Sequence, residues 1–181
     1  MSGNPDNANK YCRSADLSNE ASVEMFFVSR LLKDLGYKDS EIKPKRSIDE
    51  VQVARGRRRE PYKPDYLLVA GKPRWLVDAK GVDEKIEDFI YQGAGYALGV
   101  NMRFTDSPLR FFMLTNGLLT RVYPWDSEDA VLSLRFADFV DGNPRFEALR
   151  QLLGAHEARK GWASPPLFRR AAFSDVRQST K

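Results

Sequence analysis

Two aspartates flanking a hairpin pattern constrain this chain more than any other feature. Pro64-Asp65 leads into the apolar run Tyr66-Leu67-Leu68-Val69, and Trp75-Leu76-Val77 runs into Asp78-Ala79-Lys80. Between the runs lies Ala70-Gly71-Lys72-Pro73-Arg74, whose Gly and Pro mark a turn. The pattern predicts two paired strands with Asp65 and Asp78 brought near each other. Side chains alternate along a strand, so Asp78 and Lys80 share one face and Ala79 points to the other. Two carboxylates and an ammonium gathered at one spot are costly unless something compensates. A divalent cation together with a phosphate would compensate. The competing reading makes Asp65 a turn residue and Asp78 with Lys80 a surface ion pair, worth less than about 1 kcal/mol. The apolar run just before Asp78 argues for burial and so for the cation-and-phosphate reading.

Elements around the hairpin follow from periodicity. Asp16-Leu17-Ser18-Asn19 offers caps for a helix from about Glu20 to Leu35, ended by Gly36. Phe27, Val28, Leu31 and Leu35 form its apolar stripe, with Ser22, Ser29 and Lys33 opposite. Glu20 and Glu24 fall on the apolar side, where acidic residues rarely sit without a partner. Either both reach solvent at a frayed helix end, or one joins Asp65 and Asp78. Residues 37–45 read as a connection and 48–54 as a strand. Next comes a basic turn with Arg55, Arg57, Arg58 and Arg59 around Gly56. It is either a solvated tip or a loop that touches phosphates beside the site.

After Lys80 the spacing of Ile86, Phe89, Ile90, Ala94 and Ala97 predicts a helix over 84–98, with Gln92 and Tyr96 on one face. Gly93, Gly95 and Gly99 are poor helix formers, which suits close packing on a sheet or close approach of a ligand. Asn116-Gly117 between apolar runs 110–115 and 118–123 is a strong hairpin signal. An edge strand over 131–136 and a last helix over 146–153 complete the set. The order predicts an α/β (α+β) fold with a central mixed sheet flanked by helices. Residues 1–15 read as a loose N-terminus, 16–154 as the domain, and 155–181 as a basic tail or linker that suits a chain continuing into something larger.

Composition narrows the chemistry. The 181 residues suit one domain with a real core. Lys plus Arg (29) exceed Asp plus Glu (25), a mild basic excess that permits a nucleic-acid partner without demanding one. Cys12 is the only cysteine and His156 the only histidine, so no disulfide or zinc spacing is present, and a Ser-His-Asp or Cys-His centre would rest on a histidine without nearby partners. No phosphate-loop or dinucleotide motif occurs. No apolar run is long enough for a membrane span and no secretory signal is evident, so a cytoplasmic location is the expectation.

The quoted residues resemble the PD-(D/E)xK nuclease superfamily, and within it the N-terminal nuclease domain of the R subunit of type I restriction enzymes. The likeness spans roughly 18–125. It is carried by the opening helix with Glu20 and Glu24 leading to Leu35-Gly36-Tyr37, by Pro64-Asp65, by Asp78-Ala79-Lys80, and by Gln92-Gly93-Ala94-Gly95-Tyr96 as a Gln-x-x-x-Tyr motif. Leu114-Thr115-Asn116-Gly117 with Val122-Tyr123 also fits. Asp78 stands where many relatives carry Glu. The resemblance implies a restriction-endonuclease-like fold and a Mg²⁺-dependent endodeoxyribonuclease, with Mn²⁺ as substitute. Asp65 and Asp78, with the Ala79 carbonyl, would hold metal. Glu20 or Glu24 would complete the acidic rim, Lys80 would orient the attacking water, and Gln92 and Tyr96 would support the centre or position DNA. The partners implied are double-stranded DNA and other subunits of a restriction-modification complex. The alternatives are a catalytically silent module of the same fold that holds DNA or a partner subunit, and an RNase or repair nuclease.

Overall fold

A computed structural model describes residues 9–45, 52–55, 58–61, 63–105 and 108–161. It has the expected α/β architecture, a six-stranded mixed sheet with helices on both faces. Strand β1 is Ile42–Pro44, β4 Tyr66–Ala70, β5 Lys72–Ala79, β6 Phe111–Thr115, β7 Leu119–Pro124 and β8 Leu132–Arg135, in the order β1-β4-β5-β6-β7-β8. Strands β2 (Gln52–Arg55) and β3 (Arg58–Pro61) form a separate antiparallel hairpin. The backbones of Arg55, Arg58 and Arg59 lie in it, while their side chains and all of Arg57 fall outside the described residues, as do 1–8 and 162–181.

The predicted hairpin is present, but its turn is tighter than the sequence suggests. Gly71, at φ +75°, makes the reversal, and Lys72, Pro73 and Arg74 already belong to β5. Ala70 pairs with Lys72 and Val69 with Pro73, but Leu68 pairs with Trp75, so Arg74 is a bulged residue. Strands β5 and β6 run parallel, with Asp78 opposite Leu114 and Ala79 opposite Thr115. The connection between them is helix α2 (Ile90–Arg103), preceded by a 3₁₀ turn at Ile86–Phe89. All five residues of β6 are buried, as befits a strand covered on both faces.

Alternation divides the core. Trp75, Val77 and Ala79 face helices α1 (residues 20–34), α3 (Pro144–Leu153) and α4 (Ala155–Lys160), whereas Leu76, Phe112 and Leu114 face α2. Helix α1 covers 20–34 in three pieces, α-helical at Glu20–Ser22, π-helical at Val23–Val28 and α-helical again at Ser29–Asp34. Asn19 caps it through Ser22 N. Both the amide and the hydroxyl of Ser29 donate to the Glu24 carbonyl, the latter at 2.7 Å, which widens the turn. Tyr37 ties α3 to the sheet, its hydroxyl donating to Leu153 O at 2.8 Å and accepting from Trp75 Nε1 at 2.8 Å.

Three expectations are corrected. The connection over 37–45 contains β1, paired with β4. Residues read as a loose start are packed from Tyr11 onward, because Tyr11 lies edge-on to Phe27 and Phe146, with ring centroids 5.8 and 6.3 Å away. The chain after Gly154 continues into α4, whose Ala155 and Ala158 are buried against the core. His156, on the same short helix, is exposed.

The glycines of α2 differ in purpose. A Cβ on Gly93 would lie 2.6 and 2.7 Å from ring carbons of Phe112, which is itself stacked on Tyr123. A Cβ on Gly95 meets nothing. Gly93→Ala should therefore lose about 1–2 kcal/mol in urea unfolding, overpacking outweighing the gain in helix propensity. Gly95→Ala should gain up to about 1 kcal/mol. Equal effects at the two positions would refute the close-packing role.

Candidate active site

The open end of the β4–β5 hairpin brings the two aspartates together. Tyr66 pairs with Val77, so Asp65 and Asp78 follow at the next step of the register. Both are buried, each 2% exposed, and Lys80 is 7% exposed. The Asp65 carboxylate accepts from the Ala79 amide through Oδ2 at 2.7 Å and meets the Lys45 ammonium through Oδ1 at 3.1 Å. Lys45 is placed by its own backbone, whose amide donates to the Asp65 carbonyl at 2.9 Å.

Asp78 has different partners. Its Oδ2 lies 2.8 Å from Lys80 Nζ and 3.4 Å from Gln92 Nε2. Gln92 Nε2 also donates to the Tyr96 hydroxyl at 2.6 Å. The two residues predicted to share a helix face thus reach the acidic pair through Gln92, while the Tyr96 ring packs in the apolar layer beneath α2. Lys80 Nζ stands 4.4 Å from the centroid of the Phe89 ring, and the Lys80 amide donates to the Thr115 carbonyl at 2.8 Å. The ammonium is therefore held between a carboxylate and a ring face, which favours one position for a side chain that is otherwise flexible.

Glu20 and Glu24 both approach the centre. Carboxylate oxygens of Glu20, Glu24 and Asp65 all lie within 4.8 Å of one another. Both glutamates, half-buried on a helix capped by Asn19, thus stand beside Asp65. This trio does not include Asp78, whose carboxylate is engaged by Lys80 and Gln92.

Electrostatics reflect the crowding. Burial pushes the Asp78 carboxyl up to about 7; Lys80 opposes this and the charge of Asp65 adds to it. Burial also raises Glu24, reinforced by Asp65 and Glu20 and opposed by a hydrogen bond from the Tyr66 hydroxyl. Burial works against the Lys45 ammonium, but Asp65, Glu20 and Asp78 together hold its pKa above the ordinary lysine value. A bound cation would favour the charged forms of Asp78 and Glu24 that burial disfavours. The donor set is all oxygen, which fits Mg²⁺ or Mn²⁺ and not a soft metal.

Sequence reasoning missed two residues here. Lys45 belongs to the segment read as a connection, and without β1 nothing places it beside Asp65. Asn116 stands in the sequence as a turn former and within the motif resemblance, with no contact predicted for its side chain. Its Oδ1 does accept from the amides of Leu118 and Leu119, but its Nδ2 also donates to the carbonyls of Val82 and Glu84 at 3.3 and 2.9 Å. It thereby fastens the loop that follows Lys80.

No protein-family model and no curated protein matches the chain. Two solved structures resemble it. One is a cryo-EM structure of a DrdV–DNA complex, at 16% identity and TM-score 0.46, covering 76% of this chain and 83% of that one. The other is a fragment of a putative HsdR subunit of a type I restriction enzyme from Vibrio vulnificus, at 22% identity and TM-score 0.45, covering 72% of this chain and 25% of that one. The functional reading rests on the side chains described above. Among the described residues, no helix is long and apolar enough to cross a membrane.

Proposed function

We propose that this chain is a metal-dependent nuclease that hydrolyses phosphodiester bonds in DNA. The observation that carries the reading is the convergence of buried Asp65, Asp78 and Lys80 at one hairpin end, with Glu20 and Glu24 brought up by α1. The motif resemblance to the nuclease domain of type I R subunits supports DNA as substrate and a restriction system, with its other subunits, as the setting.

Asp65 would hold Mg²⁺ with Glu20 and Glu24, directly or through water, and Asp78 with the Ala79 carbonyl would complete the shell. When bound, the ion supplies a Lewis acid at the phosphate and lowers the pKa of an attacking water. The chain's own groups do the rest. The Ala79 amide fixes the orientation of the Asp65 carboxylate. Gln92 steadies Asp78. Lys80 holds a positive charge where a phosphate would gain negative charge in the transition state, and it can orient water. The basic hairpin at Arg55, Arg57, Arg58 and Arg59 would meet the DNA backbone.

Nicking of supercoiled plasmid tests the reading, paired with melting curves. Cutting should require Mg²⁺ or Mn²⁺ and stop in EDTA, and either ion should raise the melting temperature by mass action. Metal-indifferent cutting, or no metal response in either measurement, would overturn it.

A further inference from the structure

Asp65 has two oxygens, and the fold has already used one. Oδ2 accepts from the Ala79 amide at 2.7 Å, and a carboxylate oxygen of Asp65 lies within 4.8 Å of those of Glu20 and Glu24. The Lys45 ammonium sits on Oδ1 at 3.1 Å. Its reach differs in kind from that of Lys80. The Lys80 side chain is 8% exposed and clasped between Asp78 and Phe89, whereas the Lys45 side chain is 57% exposed on an anchored backbone, so its head can swing outward. The centre also has a charge balance that involves both lysines. Glu20, Glu24, Asp65 and Asp78 bring four formal negative charges and Lys45 and Lys80 bring two positive, leaving two for a divalent ion to neutralise.

We propose that Lys45 is a built-in competitor for the metal centre, an ammonium resting on the carboxylate oxygen that a divalent ion must take. The inference rests on the metal-dependent reading above. Lys45 keeps Asp65 compensated in the absence of metal and sets how much free ion is needed to load the site. Removing its charge leaves the acidic groups with one more uncompensated negative charge and clears Oδ1.

Calorimetric titration with Mn²⁺ alone tests this, with no substrate and no turnover. Lys45→Met should bind Mn²⁺ about tenfold more tightly than wild type, the scale expected for one unit charge at contact distance in a partly solvated site. Lys45→Arg, which keeps the charge, should stay close to wild type. Unchanged or weaker binding by Lys45→Met would overturn the proposal. Asp65→Asn separates the two layers of the argument. If it abolishes binding while Lys45→Met matches wild type, the metal centre stands and the competitor role falls. If Asp65→Asn binds as wild type does, or no variant binds Mn²⁺, both fall.

Discussion

Lys80→Met will lower DNA cleavage by about 10²–10³-fold, the usual cost of removing one transition-state donor from a dry site. Methionine suits the test because it keeps the length and apolar stem of lysine and still packs on Phe89, 4.4 Å from the present ammonium. The change removes the partner that Asp78 meets at 2.8 Å, so a proton will occupy that carboxyl over a wider pH range. Metal binding should therefore be compared above about pH 8, where Asp78 can still ionise, and should survive there. Loss of cleavage with retained Mn²⁺ binding is the signature of a residue acting on the phosphate or water. Equal cutting by variant and wild type would remove Lys80 from the chemistry. Loss of both activity and metal binding at high pH would make its role structural.

The second large effect concerns pH and stability. Asp78 titrates near 7 in the fold because burial disfavours its charge, against about 3.9 in an unfolded chain. The folded protein therefore prefers the protonated form. The associated stability is fully present below the unfolded value and is lost as pH rises through about 7. Glu24, also raised, acts in the same sense. Without metal, urea unfolding should show a loss on the order of 2 kcal/mol between about pH 5 and pH 8. Asp78→Asn carries no titrating group and should flatten much of that slope. Mn²⁺ should restore stability at the upper pH by binding the ionised form. A wild-type profile that is level across this window would mean that Lys80 keeps Asp78 ionised throughout.

The sheet and the hairpin site were legible because their signals are local. Tyr66-Leu67-Leu68-Val69 and Trp75-Leu76-Val77 carry a strand pattern around Gly71, and Asn116-Gly117 specifies its turn, with Gly117 at φ +83°. The helical spacing of Gln92 and Tyr96 likewise foretold their contact. What was hidden depends on partners distant in sequence. β1 is only Ile42–Pro44 and exists because β4 offers it an edge, so Lys45 could not be placed. The helix carrying Glu20 and Glu24 was readable, but its π-helical turn was not, since no residue pattern at 23–28 separates i→i+5 from i→i+4 bonding. Tyr11 is buried by contacts with Phe27 and Phe146, neither of them near it in sequence.

Arg74 acts as a shim. With Val69 opposite Pro73, an unbroken ladder from the Gly71 reversal would set Asp65 opposite Val77 and leave Asp78 facing Pro64. The one surplus residue on β5 slides the ladder by a single step and brings aspartate across from aspartate. Excising Arg74 would thus straighten β5 yet keep aspartate across from aspartate, because the shim only takes up one residue of length between the reversal and the acidic pair.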